Sequence, residues 1–254
     1  MNSELFTAAQ PGPIRWTLRD LFMTALLTIV LVAALLLAIL LPAALGVDLI
    51  RDLLDSRRLV AGMIVGGLVY VLAVVATYAI IVRRHRGSWR EIGFRAPPLV
   101  PLLLTPAIFF GQLILLAIAN LIVQSIIGTF ENPQVEQLTD SAGFSWLNFV
   151  AVFTVGAIIA PVVEEMLFRG LLYQWLRNHI GAVGAILLSG AIFSAVHFIS
   201  VLLLPLFVIG VLLAAVFEWT RSLWITITLH FFQNAMAIGL LFFLQANPNL
   251  LPQT

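Results

Sequence analysis

Residues 148–177 read NFVAVFTVGAIIAPVVEEMLFRGLLYQWLR, a long apolar stretch that contains two adjacent glutamates and Arg169, and that ends at a second arginine, Arg177. A stretch of about 20 apolar residues is long enough to cross a bilayer as a helix. Ionisable residues are rare inside such helices because burying a charge in a membrane is costly. The stretch therefore predicts a membrane helix in which the charged residues have a function.

The rest of the chain also has the composition of a membrane protein. Of its 254 residues, 61% are hydrophobic and only 10% are charged, and the mean hydropathy is +1.08. Soluble domains are nearer half apolar and a quarter charged. A chain of this length cannot bury so much apolar surface in one aqueous core. The composition excludes the soluble classes and predicts an all-α polytopic membrane protein.

We expect seven membrane-spanning helices, with eight as the alternative. The span at 148–177 is the least regular because Pro161 and the charged residues lie within it, and it could be kinked or divided. Residues 21–128 would form an N-terminal group of helices. The predicted spans are 21–45, 59–82, 99–128, 148–177, 182–199, 201–219 and 222–245.

The positions of the arginines predict how the chain is oriented in the membrane. All thirteen basic residues are arginine, and positive residues are concentrated in cytoplasmic loops. Nine of them precede the first span or lie in turns on the same side, and three lie on the opposite side. We therefore expect residues 1–20 to be a cytoplasmic segment, not a removable signal peptide, of an integral protein of the cell membrane. The nine are Arg15, Arg19, Arg83, Arg84, Arg86, Arg90, Arg95, Arg177 and Arg221, and the three are Arg51, Arg57 and Arg58.

Charge and amino-acid usage exclude several functions. The net charge is +1 and no basic tract is present, so nothing favours nucleic-acid binding. The chain has no cysteine, which excludes thiol nucleophiles, disulfides and cysteine-ligated metals. Because the loops are short, we expect the function to reside within the membrane or at its edge.

Four polar side chains in the C-terminal part of the chain are predicted to meet near the middle of the bilayer. Counting inward from the predicted cytoplasmic turns at about 1.5 Å per residue puts them ~14 to ~24 Å deep. Two of them are four residues apart and so share a helix face. Isolated polar residues would have no reason to share a depth, which favours a common site. The four are Glu164, His197, His230 and Asn234.

Glu165 and Arg169 are predicted to form an ion pair. They lie four residues apart with the acid first, which is the favourable order in a helix. Glu164 lies about 100° further round the helix and would be left without a fixed partner. Such a carboxylate can serve as a base. A second pair, Glu218 and Arg221, is expected at the membrane interface.

These residues permit two kinds of hydrolytic site. In the first, Glu164 takes a proton from water and returns it to the leaving amine. His197 would orient the water, and His230 and Asn234 would donate hydrogen bonds to the oxyanion. In the second, Glu164, His197 and His230 bind zinc and leave one position open for water. No HExxH sequence is present, so separate helices would have to supply the ligands.

The motifs that carry these residues resemble those of the CAAX-protease and bacteriocin-processing family. Its members are intramembrane proteases and include the type II CAAX prenyl endopeptidase, the Ras-converting enzyme. EExxxR corresponds to Glu164–Arg169, FxxxH to Phe193–His197 and HxxxN to His230–Asn234. The three motifs occur in the family's order within residues 147–240.

The resemblance implies that residues 147–245 form the catalytic helical core of an intramembrane endopeptidase. The substrate of this endopeptidase would be a membrane-associated protein or peptide. The resemblance leaves open whether the reaction needs zinc or uses a glutamate without a metal. One alternative is a non-catalytic scaffold or immunity protein of the same fold. Another is a small transporter that uses Glu164 as a proton relay. The family's catalytic glutamate corresponds to Glu164, its other catalytic residues to His197, His230 and Asn234, and its supporting pair to Glu165 and Arg169.

Overall fold

The computed structural model describes residues 14–45, 57–129 and 144–250, which form helices joined by short turns. These three ranges contain no strand, which confirms the predicted all-α class. Short 3-10 helices lie at Ser200–Leu202 and Pro248–Leu250. The α-helices are α1 (Leu18–Ala44), α2 (Arg58–Thr77), α3 (Trp89–Ile92), α4 (Leu99–Ile127), α5 (Trp146–Val152), α6 (Ala160–Glu165), α7 (Gln174–Ala195), α8 (Leu203–Thr220) and α9 (Leu223–Ala246).

Six helical stretches within the described residues are long and apolar enough to cross a membrane, as an integral multi-pass protein requires. The predicted count of seven or eight is not confirmed, and the orientation stays a prediction. The predicted spans 148–177 and 182–199 both fall largely within one of these stretches, Trp146–Ala195, which is 50 residues long. Gly181, with φ 75° and ψ 175°, interrupts that stretch at the predicted turn. The six are Leu18–Pro42, Arg58–Arg83, Leu99–Ile127, Trp146–Ala195, Ser200–Thr220 and Leu223–Ala246.

Three wider, π-helical segments interrupt the regular α-helices. One of them begins directly after Glu165 and contains Arg169. Such segments are rare and frequently occur at functional sites. The chain stays helical at Pro161, where the sequence allowed a break. The three segments are Tyr78–Arg83, Phe153–Ile159 and Met166–Tyr173.

The chain divides into two compact units, and each combines segments that are distant in sequence. Most of the predicted site residues belong to the first unit, whereas Asn234 belongs to the second. The first unit contains Met1–Arg15, Ser88–Val135 and Glu164–Gln233, and the second contains Trp16–Gly87, Glu136–Val163 and Asn234–Thr254.

The core of the first unit is built from α7, α8 and α9. The lipid around a membrane protein is itself apolar, so close packing contributes more to helix association than the removal of apolar surface from water does. The buried core residues are Phe193 from α7, Ile209, Leu213 and Val216 from α8, and Ile225 and Leu229 from α9.

Helices α7 and α8 touch at two glycines. A Cβ atom on Gly210 would lie 2.8 Å from the Cα atom of Gly190, and one on Gly190 would lie 2.9 Å from the backbone nitrogen of Val211. No larger residue fits at either position unless the two helices move apart. Small residues are the usual means by which membrane helices approach closely.

In the second unit, the buried residue Asp20 connects the start of α1 to the turn after α2. Its carboxylate accepts hydrogen bonds from the backbone nitrogen and the hydroxyl of Thr17, at 2.9 and 2.8 Å. Arg84 and His85 lie 3.4 and 3.1 Å from the same carboxylate. Asp20 therefore caps the first turn of α1. It also holds the turn that contains Arg84 and His85 against the start of α1.

Candidate active site

The predicted ion pair between Glu165 and Arg169 forms and is sealed from solvent. Nη1 of Arg169 donates to Oε1 of Glu165 over 2.7 Å, and both side chains are 0% exposed. Nη2 donates to the carbonyl oxygen of Gly210 over 3.0 Å, and the guanidinium carbon lies 4.6 Å from the ring centre of Phe193. A buried ion pair is tolerated when its remaining groups also find partners. Arg169 makes one such contact with α8 and one with α7, whereas its Nε and Oε2 of Glu165 are buried without a hydrogen-bond partner among the described residues.

His230 lies between the two adjacent glutamates. Its Nδ1 is 3.0 Å from Oε1 of Glu165, and its Nε2 is 3.8 Å from Oε2 of Glu164. An ionised carboxylate can only accept hydrogen bonds, so we assign the hydrogen of the neutral ring to Nδ1. In that tautomer, His230 presents the lone pair of Nε2 to Glu164.

The expectation that Glu164 has no fixed partner is wrong, because Nε2 of His230 lies beside it. Their separation of 3.8 Å is longer than a direct hydrogen bond. The side chain of Glu164 is 17% exposed, whereas that of Glu165 is 0% exposed. The two carboxylates therefore differ in accessibility: that of Glu165 is paired with Arg169 and fully buried, and that of Glu164 is partly exposed.

His197 lies just after the end of α7 and contacts Phe193. Its Nδ1 is 2.7 Å from the carbonyl oxygen of Phe193, so the neutral ring donates from Nδ1 and keeps Nε2 as an acceptor. The ring of Phe193 is centred 4.8 Å from that of His197 and 6.0 Å from that of His230. The structure thus brings both imidazoles against one phenyl ring.

Asn234 follows His230 by one turn of α9, but its side chain bonds within the second unit. Its Nδ2 donates to the carbonyl oxygen of Gly156 over 2.8 Å. Gly156 belongs to the π-helical segment Phe153–Ile159. The role of Asn234 at an oxyanion stays a prediction.

The predicted zinc ligands are not arranged as a metal centre. Within the described ranges, no three His, Cys, Asp or Glu side chains are grouped so that they could hold a metal ion. Zinc needs at least three protein ligands around one point in a catalytic site. The set Glu164, His197 and His230 therefore does not fit zinc as placed here, and we derive no chemical step through a metal.

Gln112 is a polar residue near the candidate site, and it belongs to none of the sequence motifs. It lies in the middle of α4, is only 2% exposed, and donates from Nε2 to Oε1 of Gln233. Gln233 follows His230 by three residues on α9. The sequence signal that could have identified Gln112 is an amide side chain in an otherwise apolar span, because polar side chains inside membrane helices usually bond to another helix.

These features define a class: an all-helical, multi-pass membrane protein with carboxylates and imidazoles from different helices placed side by side. Residues 146–236 match the family model for Rce1-like type II CAAX prenyl endopeptidases. This segment contains all three motifs, and the match confirms the resemblance of this part of the chain to the CAAX-protease family. The family is one of proteases, which supports an enzymatic role for the chain. No match was found among curated proteins or among solved structures.

Proposed function

We propose that the protein is an intramembrane endopeptidase in which Glu164 activates the attacking water. One observation carries the proposal: the partly exposed carboxylate of Glu164 lies 3.8 Å from Nε2 of His230, whose other ring nitrogen is bonded to Glu165. An accessible base beside an oriented imidazole is suited to hydrolysis. The family match over residues 146–236 supports the same class of chemistry.

The two facing groups are suited to hold one water molecule. An ionised Glu164 and the Nε2 of neutral His230 are both acceptors, so they repel each other unless a hydrogen lies between them. Water has two hydrogens and can give one to each group. Held in this way, it keeps a lone pair free to attack the carbonyl carbon of the substrate. Glu164 takes the proton as the new C–O bond forms.

The second step breaks the peptide bond. Glu164 returns the proton to the amide nitrogen, the C–N bond breaks, and one water has been consumed to give a carboxylic acid and an amine. The negative oxygen of the tetrahedral intermediate needs hydrogen-bond donors in a site of low dielectric constant. Our candidate is His197 with its ring protonated, and the part that Asn234 plays at the oxyanion stays a prediction from the sequence. Neutral His197 cannot donate to it from Nε2, because its hydrogen is on Nδ1 and bonds to Phe193.

The substrate class follows from the position of the site. Glu164 and His230 both lie within helices that are long and apolar enough to span the membrane. A substrate must therefore reach the bilayer, which favours a membrane-associated protein or peptide that enters from the lipid or from the cytoplasmic face. Zinc dependence, the alternative that the sequence leaves open, has no support from the placement of Glu164, His197 and His230, and peptidase activity that survives exhaustive chelation would contradict it.

The first test compares new protein termini, by mass spectrometry, in host membranes that carry wild-type protein, Glu164→Gln or Glu91→Gln at matched expression. Gln is nearly isosteric with Glu but cannot take the proton, so we expect a loss of cleavage on the order of 10²–10⁴-fold in Glu164→Gln. Glu91 pairs with Arg15 at 3.5 Å and is 39% exposed, so Glu91→Gln should keep the wild-type termini. In H₂¹⁸O, each new carboxyl terminus should gain one solvent oxygen.

Identical sets of termini in all three membranes would contradict the proposal. A non-catalytic scaffold is the second candidate, because Glu165 and Arg169 are fully buried and would hold helices together without any reaction. Glu164→Gln distinguishes the two candidates. A scaffold would keep its phenotype in this variant, whereas an enzyme would lose it while remaining folded.

A further inference from the structure

A cluster of charged side chains lies where helices of the first unit end. Glu218, near the end of α8, accepts hydrogen bonds from the hydroxyl of Tyr173 at 2.5 Å and from Nε of Arg177 at 2.8 Å. Nη2 of Arg221 lies 2.6 Å from the same carboxylate, which confirms the predicted pair of Glu218 and Arg221. Two arginines and a tyrosine therefore share one carboxylate.

Arg95 joins this cluster from the segment before α4. The hydroxyl of Ser222 donates to the carbonyl oxygen of Arg95 over 2.7 Å, which fixes Arg95 next to the connection between α8 and α9. Burial lowers the pKa of both Arg95 and Arg221, and nearby arginines lower each of them further, whereas the carboxylate of Glu218 raises that of Arg221. We call Arg95, Arg177 and Arg221 the arginine cluster.

The arginine cluster has more positive charge than its described neighbours compensate. Arg177 and Arg221 share the carboxylate of Glu218, and in the described part of the chain no carboxylate pairs with the guanidinium group of Arg95. The side chain of Arg221 is only 6% exposed, and its Nε and Nη1 have no hydrogen-bond partner there. The Nε of Arg95 is likewise buried without a partner. Buried donors are normally bonded, so the cluster is suited to an anion.

The cluster can be reached from the surface. The side chain of Arg177 is 30% exposed and Arg95 is half-buried, so both can contact a ligand directly. Arg221 is buried and contributes positive charge to the same place. The backbone of Arg221, with φ 54°, ends α8 and bonds to the carbonyl oxygen of Phe217 over 2.8 Å, which holds this charge in position.

Aromatic side chains indicate that the cluster lies at the depth of lipid headgroups. The ring of Phe94, next to Arg95, packs edge-on against Trp89 and Trp224, with ring centres 5.9 and 5.6 Å apart. Trp224 is 47% exposed. Tryptophan is enriched where a membrane protein passes from hydrocarbon to water. The anions at this depth are the phosphate groups of phospholipids.

We propose that the arginine cluster binds a phosphate group, supplied by the headgroup of an anionic phospholipid. Guanidinium groups bind phosphate oxygens through paired N–H donors, and basic pockets between membrane helices bind anionic headgroups. Leu99 and Leu103, at the start of α4, are 68% and 69% exposed and offer an apolar surface for acyl chains next to Arg95. Free phosphate has the same chemistry, and the experiment separates the two sources.

The test titrates the full-length protein with phosphatidylglycerol and, separately, with phosphatidylcholine, and measures bound lipid by native mass spectrometry. Arg95→Gln should weaken phosphatidylglycerol binding about fivefold, the effect of one arginine near an anionic surface. Arg83→Gln is the matched control, since it removes the same charge from an exposed position in the other unit. Phosphatidylcholine binding should be equal in all three proteins. The readout does not depend on peptidase activity.

Three outcomes would overturn the proposal. If Arg83→Gln and Arg95→Gln weaken phosphatidylglycerol binding equally, the binding depends only on the net charge of the protein and not on the cluster. Unchanged phosphatidylglycerol binding in both Arg95→Gln and Arg177→Gln would show that the cluster is not the site. Displacement of the lipid by inorganic phosphate at equal concentration would make free phosphate the ligand, whereas retention of the lipid supports the headgroup. Arg95 makes no bond to Glu218, so we expect Arg95→Gln to fold, which size-exclusion chromatography checks.

Discussion

The buried pair of Glu165 and Arg169 and the edge pair of Glu218 and Arg221 use the same residue types in opposite ways. Both members of the buried pair are 0% exposed, and one cation balances one carboxylate. At the edge, Glu218 is 21% exposed and is shared by more than one arginine. Deep in the protein an unbalanced charge is costly, whereas at the interface water and headgroups can compensate it. The comparison separates charges that hold helices together from charges that are available to a ligand.

The largest loss of stability is expected from Arg169→Leu. The substitution leaves the carboxylate of Glu165 without its cation in a site closed to solvent, and removing one partner of a buried pair costs about 3–5 kcal/mol. Thermal unfolding in detergent measures the effect. Adding Glu165→Leu removes both charges and should recover much of the loss. If Arg169→Leu is as stable as the wild type, the buried pair is not required and the comparison fails.

A smaller loss is expected from Gly210→Ala, which alters the surroundings of the buried pair without removing a charge. The new Cβ would lie 2.8 Å from the Cα atom of Gly190, and such overpacking costs about 1–3 kcal/mol. It also displaces the carbonyl oxygen to which Arg169 donates. Gly62→Ala is the matched control, since a Cβ there meets nothing within 4 Å. Equal unfolding temperatures for the two variants would show that α7 and α8 tolerate separation.

The smallest effect on stability is expected from Arg177→Gln at the edge. Arg177 is 30% exposed, and Glu218 keeps its contacts with Tyr173 and Arg221 when this side chain is neutral. Partly exposed ion pairs contribute about 1 kcal/mol or less. Thermal unfolding under the conditions used for Arg169→Leu gives the comparison directly. Equal losses in the two variants would remove the distinction between buried and edge charges.

The helical class and the buried pair could be predicted because both depend on local sequence. Apolar runs of sufficient length become membrane helices, and a spacing of four residues puts Glu165 and Arg169 on one helix face. The partner of Glu164 depends on how α9 approaches α6, and spacing within one helix contains no such information. The same limit applies to Gln112, whose partner is on another helix.

The number of spans was harder to predict than their positions. Hydropathy measures apolar content, and it places a turn only where polar residues interrupt an apolar run. At Gly181 the backbone leaves the helical conformation between two helices, at the place where the sequence predicts a turn between the spans 148–177 and 182–199. We have no account from the sequence of why the helix widens at Met166–Tyr173.

The position of His230 between two unequal carboxylates gives its ring a fixed polarity. Nδ1 faces Glu165, which is cut off from solvent, and Nε2 faces Glu164, which is not. A half-turn of the ring about its Cβ–Cγ bond would put carbon atoms where the two nitrogens now lie and would break the bond to Glu165, so that bond fixes the orientation of the ring. Of the two ring nitrogens, only Nε2 therefore faces a carboxylate that is partly exposed. This suits a reaction that returns its proton to where it was taken, and it is the opposite of what a relay across a membrane would require.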